Sequence, residues 1–290
     1  MSQSTFNPLL NVRIPGGRFQ LPSGGLFYEN GELSNDVING ELEIFPMTSY
    51  DEILIRSPDL LLTGVAIERV FKRCIPQVLK PLELFSKDVD FLLICLRSIS
   101  FGSSMTLIHN HGCSVDVENH ETKQIESIQC KDYEYDISID DFVSRTKQID
   151  STTINSEYMC KIQDKLVYLT PIRYSTVISI LSVDMEQFNN LPQEEAAKKM
   201  YEQTTQQLSQ LILKIVIPSS GSQLEDICVT DVNQIHEWIK TLSPKDIREL
   251  NLNIDKSSSW GPEMTYKLKC KHCNEPIALE VPLNPMHFFM

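Results

Sequence analysis

Two cysteines stand near the end of the chain in Cys270-Lys271-His272-Cys273. In a tight turn, thiolates at this spacing aim at one ion while backbone N–H groups support their charge, as in zinc ribbons. A closed structural zinc site takes four protein ligands, so the pair needs two more. His111-Gly112-Cys113 is the nearest good source, because side-chain alternation on a strand would put His111 and Cys113 on one side. The expected set is His111, Cys113, Cys270 and Cys273 around structural Zn2+. His109 can replace His111, Cys130 can enter if its loop folds back, and His272 lies inside the turn itself. Loop-closure entropy grows slowly with length, so the distance in sequence does not oppose the site. The competing expectation is a packed thiol at Cys113 and a surface residue at His111.

Other chemistry is harder to find. Gly16-Gly17 and Gly24-Gly25 lack the Lys-Ser/Thr of a phosphate loop, and no Gly-x-Ser-x-Gly elbow occurs. Acidic neighbours such as Asp140-Asp141 and Glu194-Glu195 face different ways on a helix or strand and read as solvated carboxylates. His109-Asn110-His111 spells the name of a nuclease family, but that name denotes catalytic positions dispersed through a ββα unit. The expectation is a protein that is not an enzyme. Cys74, Cys95, Cys160 and Cys228 sit among apolar residues and read as small core residues.

Composition narrows the partners. In 290 residues, 26 Lys and Arg face 39 Asp and Glu, a formal charge of −13 that opposes contact with nucleic acid or anionic lipid. No run approaches the roughly 18 to 20 apolar residues of a membrane span. Met1-Ser-Gln-Ser-Thr-Phe6 has no basic, apolar secretory leader, which predicts a cytosolic product whose eight cysteines serve as thiols or metal ligands. The 41% apolar content supports a sizeable core.

The elements that must position the cysteines follow from periodicity and punctuation. Gly- and Pro-rich turns join short strands up to Tyr28, and Glu41 to Met47 alternates as a strand. Ser49-Tyr50-Asp51-Glu52 predicts a capping box and a helix up to Ser57-Pro58, followed by one helix from Ser57 to Cys74 and another from Ser86 to about Ser98. Residues 101–183 read as strand-rich, with a mobile loop around Val115 to Ser127. The spacing of Ala197, Met200, Tyr201, Thr204, Leu208, Leu211, Ile212 and Ile215 predicts a helix from Leu191 to Pro218. Asp231 and Ser243 open two short helices. Met264 to Leu268 and Ile277 to Val281 alternate on either side of the cysteines, a two-stranded ribbon with Cys270 to Cys273 at its turn.

Leu21-Pro22-Ser23-Gly24-Gly25-Leu26-Phe27-Tyr28, Glu43 to Met47, Glu52 to Leu60 with Gly64, Asp90 to Arg97 and Ser100-Phe101-Gly102 follow one another in a specific order. With the His-x-Cys, Ile235 to Ile239, Trp260-Gly261-Pro262, the final Cys-x-x-Cys and Phe288-Phe289, this order resembles baseplate hub subunits of T4-like contractile-tail phages. The resemblance spans most of the chain but not the opening twelve residues or the acidic insert from Val115 to Gln129. It implies a virion protein of the tail baseplate, assembled in the host cytoplasm, whose partners are other baseplate hub or wedge proteins. It carries over no catalytic residues, and it implies that the first third serves protein contacts.

The expected fold is α+β: a helical core with short N-terminal strands, a strand-rich middle and a C-terminal zinc-ribbon-like β-hairpin. The expected segments are 1–108, 109–185, 186–255 and 256–290, the last forming one unit with 109–113. Two functions fit: a structural hub subunit, or an assembly chaperone that leaves the finished particle. A more remote alternative is a zinc-ribbon nucleic-acid module. No small-molecule substrate is expected.

Overall fold

A computed structural model describes residues 16–118, 125–152, 154, 158–181, 191–219, 226–281, 283 and 288–289. The start of the chain, residues 119–124 of the acidic insert and residues 182–183 of the strand-rich stretch lie outside the described residues. The fold is α+β, with nine α-helices among the described residues and several small antiparallel sheets.

The first core is built around two helices. In α3 (Val65–Cys74), Ala66, Ile67, Val70, Phe71 and Cys74 make one buried stripe, while Glu68 and Lys72 pair on the outer face. In α4 (Ser86–Phe101) burial is almost continuous from Val89 to Arg97 apart from Asp90, as in a helix enclosed by its neighbours. Leu42 and Ile44 of β2 (Glu41–Ile44) join this core, and β2 pairs antiparallel with β1 (Gly17–Gln20). Val281, Phe288 and Phe289 complete it from the far end of the chain.

Strand β3 (Ser104–His109) pairs with β6 (Tyr133–Ser138), and between them β4 (Ser114–Glu118) pairs with β5 (Ile125–Gln129). A second core lies on a four-stranded antiparallel sheet in the order β10-β9-β8-β7, made of β7 (Met159–Ile162), β8 (Lys165–Leu169), β9 (Ile212–Ile217) and β10 (Ile227–Val229). Ile162, Val167, Leu169, Ile212 and Ile215 of that sheet pack with Ile235 and Ile239 of α8 (Val232–Lys240) and Leu250 of α9 (Pro244–Ser257). A third, smaller cluster joins Cys130 and Tyr135 to Cys270, Ile277 and Leu279. The last three flank or belong to the hairpin of β11 (Thr265–Lys269) and β12 (Pro276–Glu280).

Several elements differ from the sequence expectation. The cap of α1 (Ser49–Ile55) is Thr48 with Asp51, one residue earlier than the Ser49 and Glu52 pair; the Asp51 carboxylate accepts the Thr48 N–H at 2.9 Å and also pairs with Arg73 at 2.7 Å. The helix expected from Ser57 to Cys74 is split into α2 (Pro58–Leu62) and α3, because Gly64 turns left-handed at φ +74°. Its α-carbon faces Leu82 and Ile178, which a Cβ would meet at 3.0 and 3.4 Å. The stretch from Val115 to Ser127 contains the paired strands β4 and β5.

The long helix also stops early. After α5 (Ile139–Arg145) and α6 (Tyr174–Leu181), α7 (Gln193–Gln210) ends before Ile212, and Ile212–Ile217 pairs with β8 as strand β9. The β-branched run Ile215-Val216-Ile217 favours a pleated surface over a helical one. Asp231 caps α8 and Ser243 caps α9, and α9 runs on through Ser257. Cys74, Cys95 and Cys160 are buried, whereas Cys228 is exposed on the edge strand β10.

Candidate metal centre

The hairpin turn and the link between β3 and β4 bring four side chains together. The donor atoms of His111, Cys113, Cys270 and Cys273 all lie within 4.8 Å of one another. Cys113 Sγ is 3.8 Å from Cys270 Sγ, and Cys273 Sγ is 3.4 Å from His111 Nδ1. A tetrahedral zinc with bonds of about 2.3 Å to sulfur and about 2.0 Å to nitrogen has S–S edges near ~3.8 Å and S–N edges near ~3.5 Å. The group is therefore arranged as a metal-binding set and is compatible with zinc.

Local sequence explains each half. His111 and Cys113 do not alternate along a strand as expected, since both lie in the irregular link after His109. Gly112, at φ +69°, reverses the chain between them, and its N–H donates to the Asn110 side-chain oxygen at 2.8 Å. No heavy atom lies within 4 Å of a Cβ placed there, so the glycine answers the dihedral rather than crowding. On the other side, the Cys270 N–H donates to the Glu275 carbonyl at 2.8 Å and the Asn274 N–H to the Cys270 carbonyl at 2.9 Å. Asn274 takes the left-handed conformation, φ +62°, that closes this turn.

Residues between and beside the cysteines clamp the two halves. The Lys271 N–H donates to the Tyr135 hydroxyl at 3.1 Å, its ammonium donates to the Glu134 carbonyl, and its Nζ lies 5.2 Å from the centre of the Tyr135 ring. His272 turns away from the cluster: its Nε2 is 2.9 Å from the Ile128 carbonyl oxygen, and its ring stacks on Tyr133. His109 is the last residue of β3, opposite Tyr133, and is not among the four. Cys130 lies next to the set, its N–H donating to the Cys113 carbonyl at 2.7 Å. The clamping role of Tyr133 and Tyr135 escaped the sequence reading. Its signal was the alternation of Tyr133 and Tyr135 on β6, opposite His109 and Leu107 of β3.

The electrostatics of the four suit a cation. The backbone N–H of Cys273, then that of His272, pull the Cys270 thiol down to about 5. Burial, followed by the thiols of Cys273, Cys270 and Cys130, pushes Cys113 up to about 12. The two shifts run in opposite senses, because two adjacent thiolates would repel in a partly buried site. A divalent cation removes that repulsion and lets every thiol ionise.

Among the described residues, no helix is long and apolar enough to cross a membrane. Compared with protein-family models, curated proteins and solved structures, the chain gives no match.

Proposed function

We infer that the chain is a non-enzymatic structural protein whose C-terminal hairpin is a zinc ribbon closed onto the middle of the chain, and that it works through protein–protein contacts. The observation that carries this reading is the four-donor set with edges of 3.8 and 3.4 Å. Four protein ligands fill a tetrahedral zinc and leave no position for water or substrate, unlike a catalytic site with three. A surface hollow beside β1 and β2 is lined by Arg18 and Glu43, which pair with each other at 2.5 Å, and by Asp36, which accepts from the Gln77 amide at 3.0 Å.

The ordered motifs that resemble baseplate hub subunits of T4-like phages name the setting: a tail baseplate, with hub or wedge proteins as neighbours. Two measurements test the reading. Metal analysis of the purified protein is expected to give one zinc per chain, lost in both Cys270→Ser and Cys113→Ser; zinc retained by both variants rejects the clasp. Quantification of the polypeptide in purified contractile-tail particles is expected to give a fixed stoichiometry. Absence from mature particles, with tail defects on deletion, replaces the structural subunit with an assembly chaperone, and salt-sensitive binding in a gel-shift assay would turn the reading toward nucleic acid.

A further inference from the structure

The metal-binding set leaves one thiol beside it unused. Cys130 follows β5 as Cys113 precedes β4, each one residue beyond the last pair of that ladder, Ser114 with Gln129. The Cys130 N–H donates to the Cys113 carbonyl at 2.7 Å, one of the two bonds that a hydrogen-bonded cross-strand pair exchanges. Such pairs hold their α-carbons about 5.5 Å apart with side chains on one face, inside the range of about 4.4–6.8 Å that a disulfide spans. Cys130 is buried at 9% exposure in the small apolar cluster against which Cys113 packs. Cys113 is half-buried, so a small oxidant can reach its sulfur.

We propose that Cys130 is the resolving thiol of an oxidative release of the metal, forming a Cys113–Cys130 disulfide. This rests on the reading of the four residues as a zinc site. The oxidant is a hydroperoxide. The Cys113 thiolate attacks its terminal oxygen, the O–O bond breaks, and Cys113 becomes a sulfenic acid as hydroxide or alkoxide leaves. The Cys130 sulfur then attacks the sulfenic sulfur; the S–S bond forms, the S–O bond breaks, and the oxygen leaves as water with the Cys130 proton. Two thiols are oxidised by two electrons and one peroxide is reduced. The metal loses a ligand and dissociates. Cys130 has priority over Cys270 and Cys273 because it is not among the four donors and its backbone is bonded directly to that of Cys113.

The test treats the full chain with hydrogen peroxide, follows zinc with a chromogenic chelator, and maps disulfides by mass spectrometry after alkylation. A Cys113–Cys130 linkage appearing in step with released zinc, and zinc rebinding after dithiothreitol, is expected. In Cys130→Ser, Cys113 should run on to sulfinic acid and less than about half of the zinc should rebind, because sulfinic acid is not reduced by thiols. A parent protein that links Cys270 to Cys273 or Cys113 to Cys270, or that keeps Cys130 fully alkylatable, overturns the proposal. The mapping needs no variant, so a folding defect in Cys130→Ser leaves it decisive. Should the purified chain hold no zinc, the zinc reading fails by itself. The same peroxide mapping on that chain still decides whether Cys113 and Cys130 pair.

Discussion

The Cys113 thiol lies 3.8 Å from the Cys270 thiol although 157 residues separate them. A metal that joins the two closes a loop of that length. By the chain-entropy relation for cross-links, this removes about 5 kcal/mol of denatured-state freedom. Stripping the metal with a strong chelator is expected to lower unfolding free energy by several kcal/mol in urea titrations. Cys113→Ser and Cys270→Ser should each lose most of the same amount, and the double variant hardly more than either, because both residues serve one closure. An unchanged urea midpoint after chelation would count against any clasp.

Asp88 sets a pH dependence in the first core. Its carboxylate is fully buried; it accepts the Ser23 N–H at 3.0 Å and the Tyr28 hydroxyl at 2.7 Å. Burial raises it to about 6 in spite of those bonds. The folded chain then holds its proton more tightly than the unfolded chain, whose carboxylate titrates near ~3.9. Stability from this group is therefore complete below about pH 4 and is lost as pH rises through 6, a change of roughly 3 kcal/mol. Asp88→Asn removes that slope. The difference in urea stability between variant and parent should shift by about this amount in the variant's favour from pH 4 to 7.5, and a constant difference would refute the assignment.

Arg97 is a buried cation whose described hydrogen bonds go to main-chain carbonyls. Its guanidinium donates to Phe288 at 3.0 Å, Gly102 at 3.2 Å and Ser104 at 3.4 Å, and it lies 5.0 Å from the Phe101 ring centre. Arg97→Met keeps the bulk and removes the donors. Leaving these carbonyls unpaired should cost about 3 kcal/mol, read as a fall in the urea midpoint. Protease cleavage near the C-terminus should accelerate, since one of the three carbonyls anchors Phe288. A variant as stable as the parent would mean that water satisfies them.

Gly24 and Gly40 separate dihedral strain from crowding. Both are left-handed, at φ +63° and +70°. A Cβ on Gly24 meets nothing within 4 Å, but one on Gly40 would lie 2.6 Å from the Gly25 nitrogen and 2.7 Å from the Gly24 carbonyl carbon. Gly24→Ala should cost about 1 kcal/mol, the left-handed penalty. Gly40→Ala should cost clearly more, because backbone cannot step aside as a side chain can. Equal thermal shifts would show that the two loops separate easily.

The parts of this fold that were legible in the sequence are those governed by neighbours along the chain. Asp231 and Ser243 cap where their side chains can reach the next turn's N–H groups. The Cys270 to Cys273 turn was legible for the same reason, lying between two alternating strands. The long helix misled because Leu208, Leu211, Ile212 and Ile215 satisfy helical spacing while Ile212 to Ile217 also satisfies a strand. Pairing with Lys165 to Leu169, more than forty residues away, decides between them. In the candidate site, residue types pointed to His111 and Cys113. Their convergence depends on a left-handed Gly112 and on clamps from Tyr133 and Tyr135, which no periodicity reports.

The burial of Phe288 and Phe289 against α4 sets a clock on synthesis. Arg97 emerges 191 residues before the carbonyl that receives it. At about 5–20 residues per second, this leaves an interval of about 10–40 s. Through that interval the apolar helix from Val89 to Leu96 lacks part of its wall.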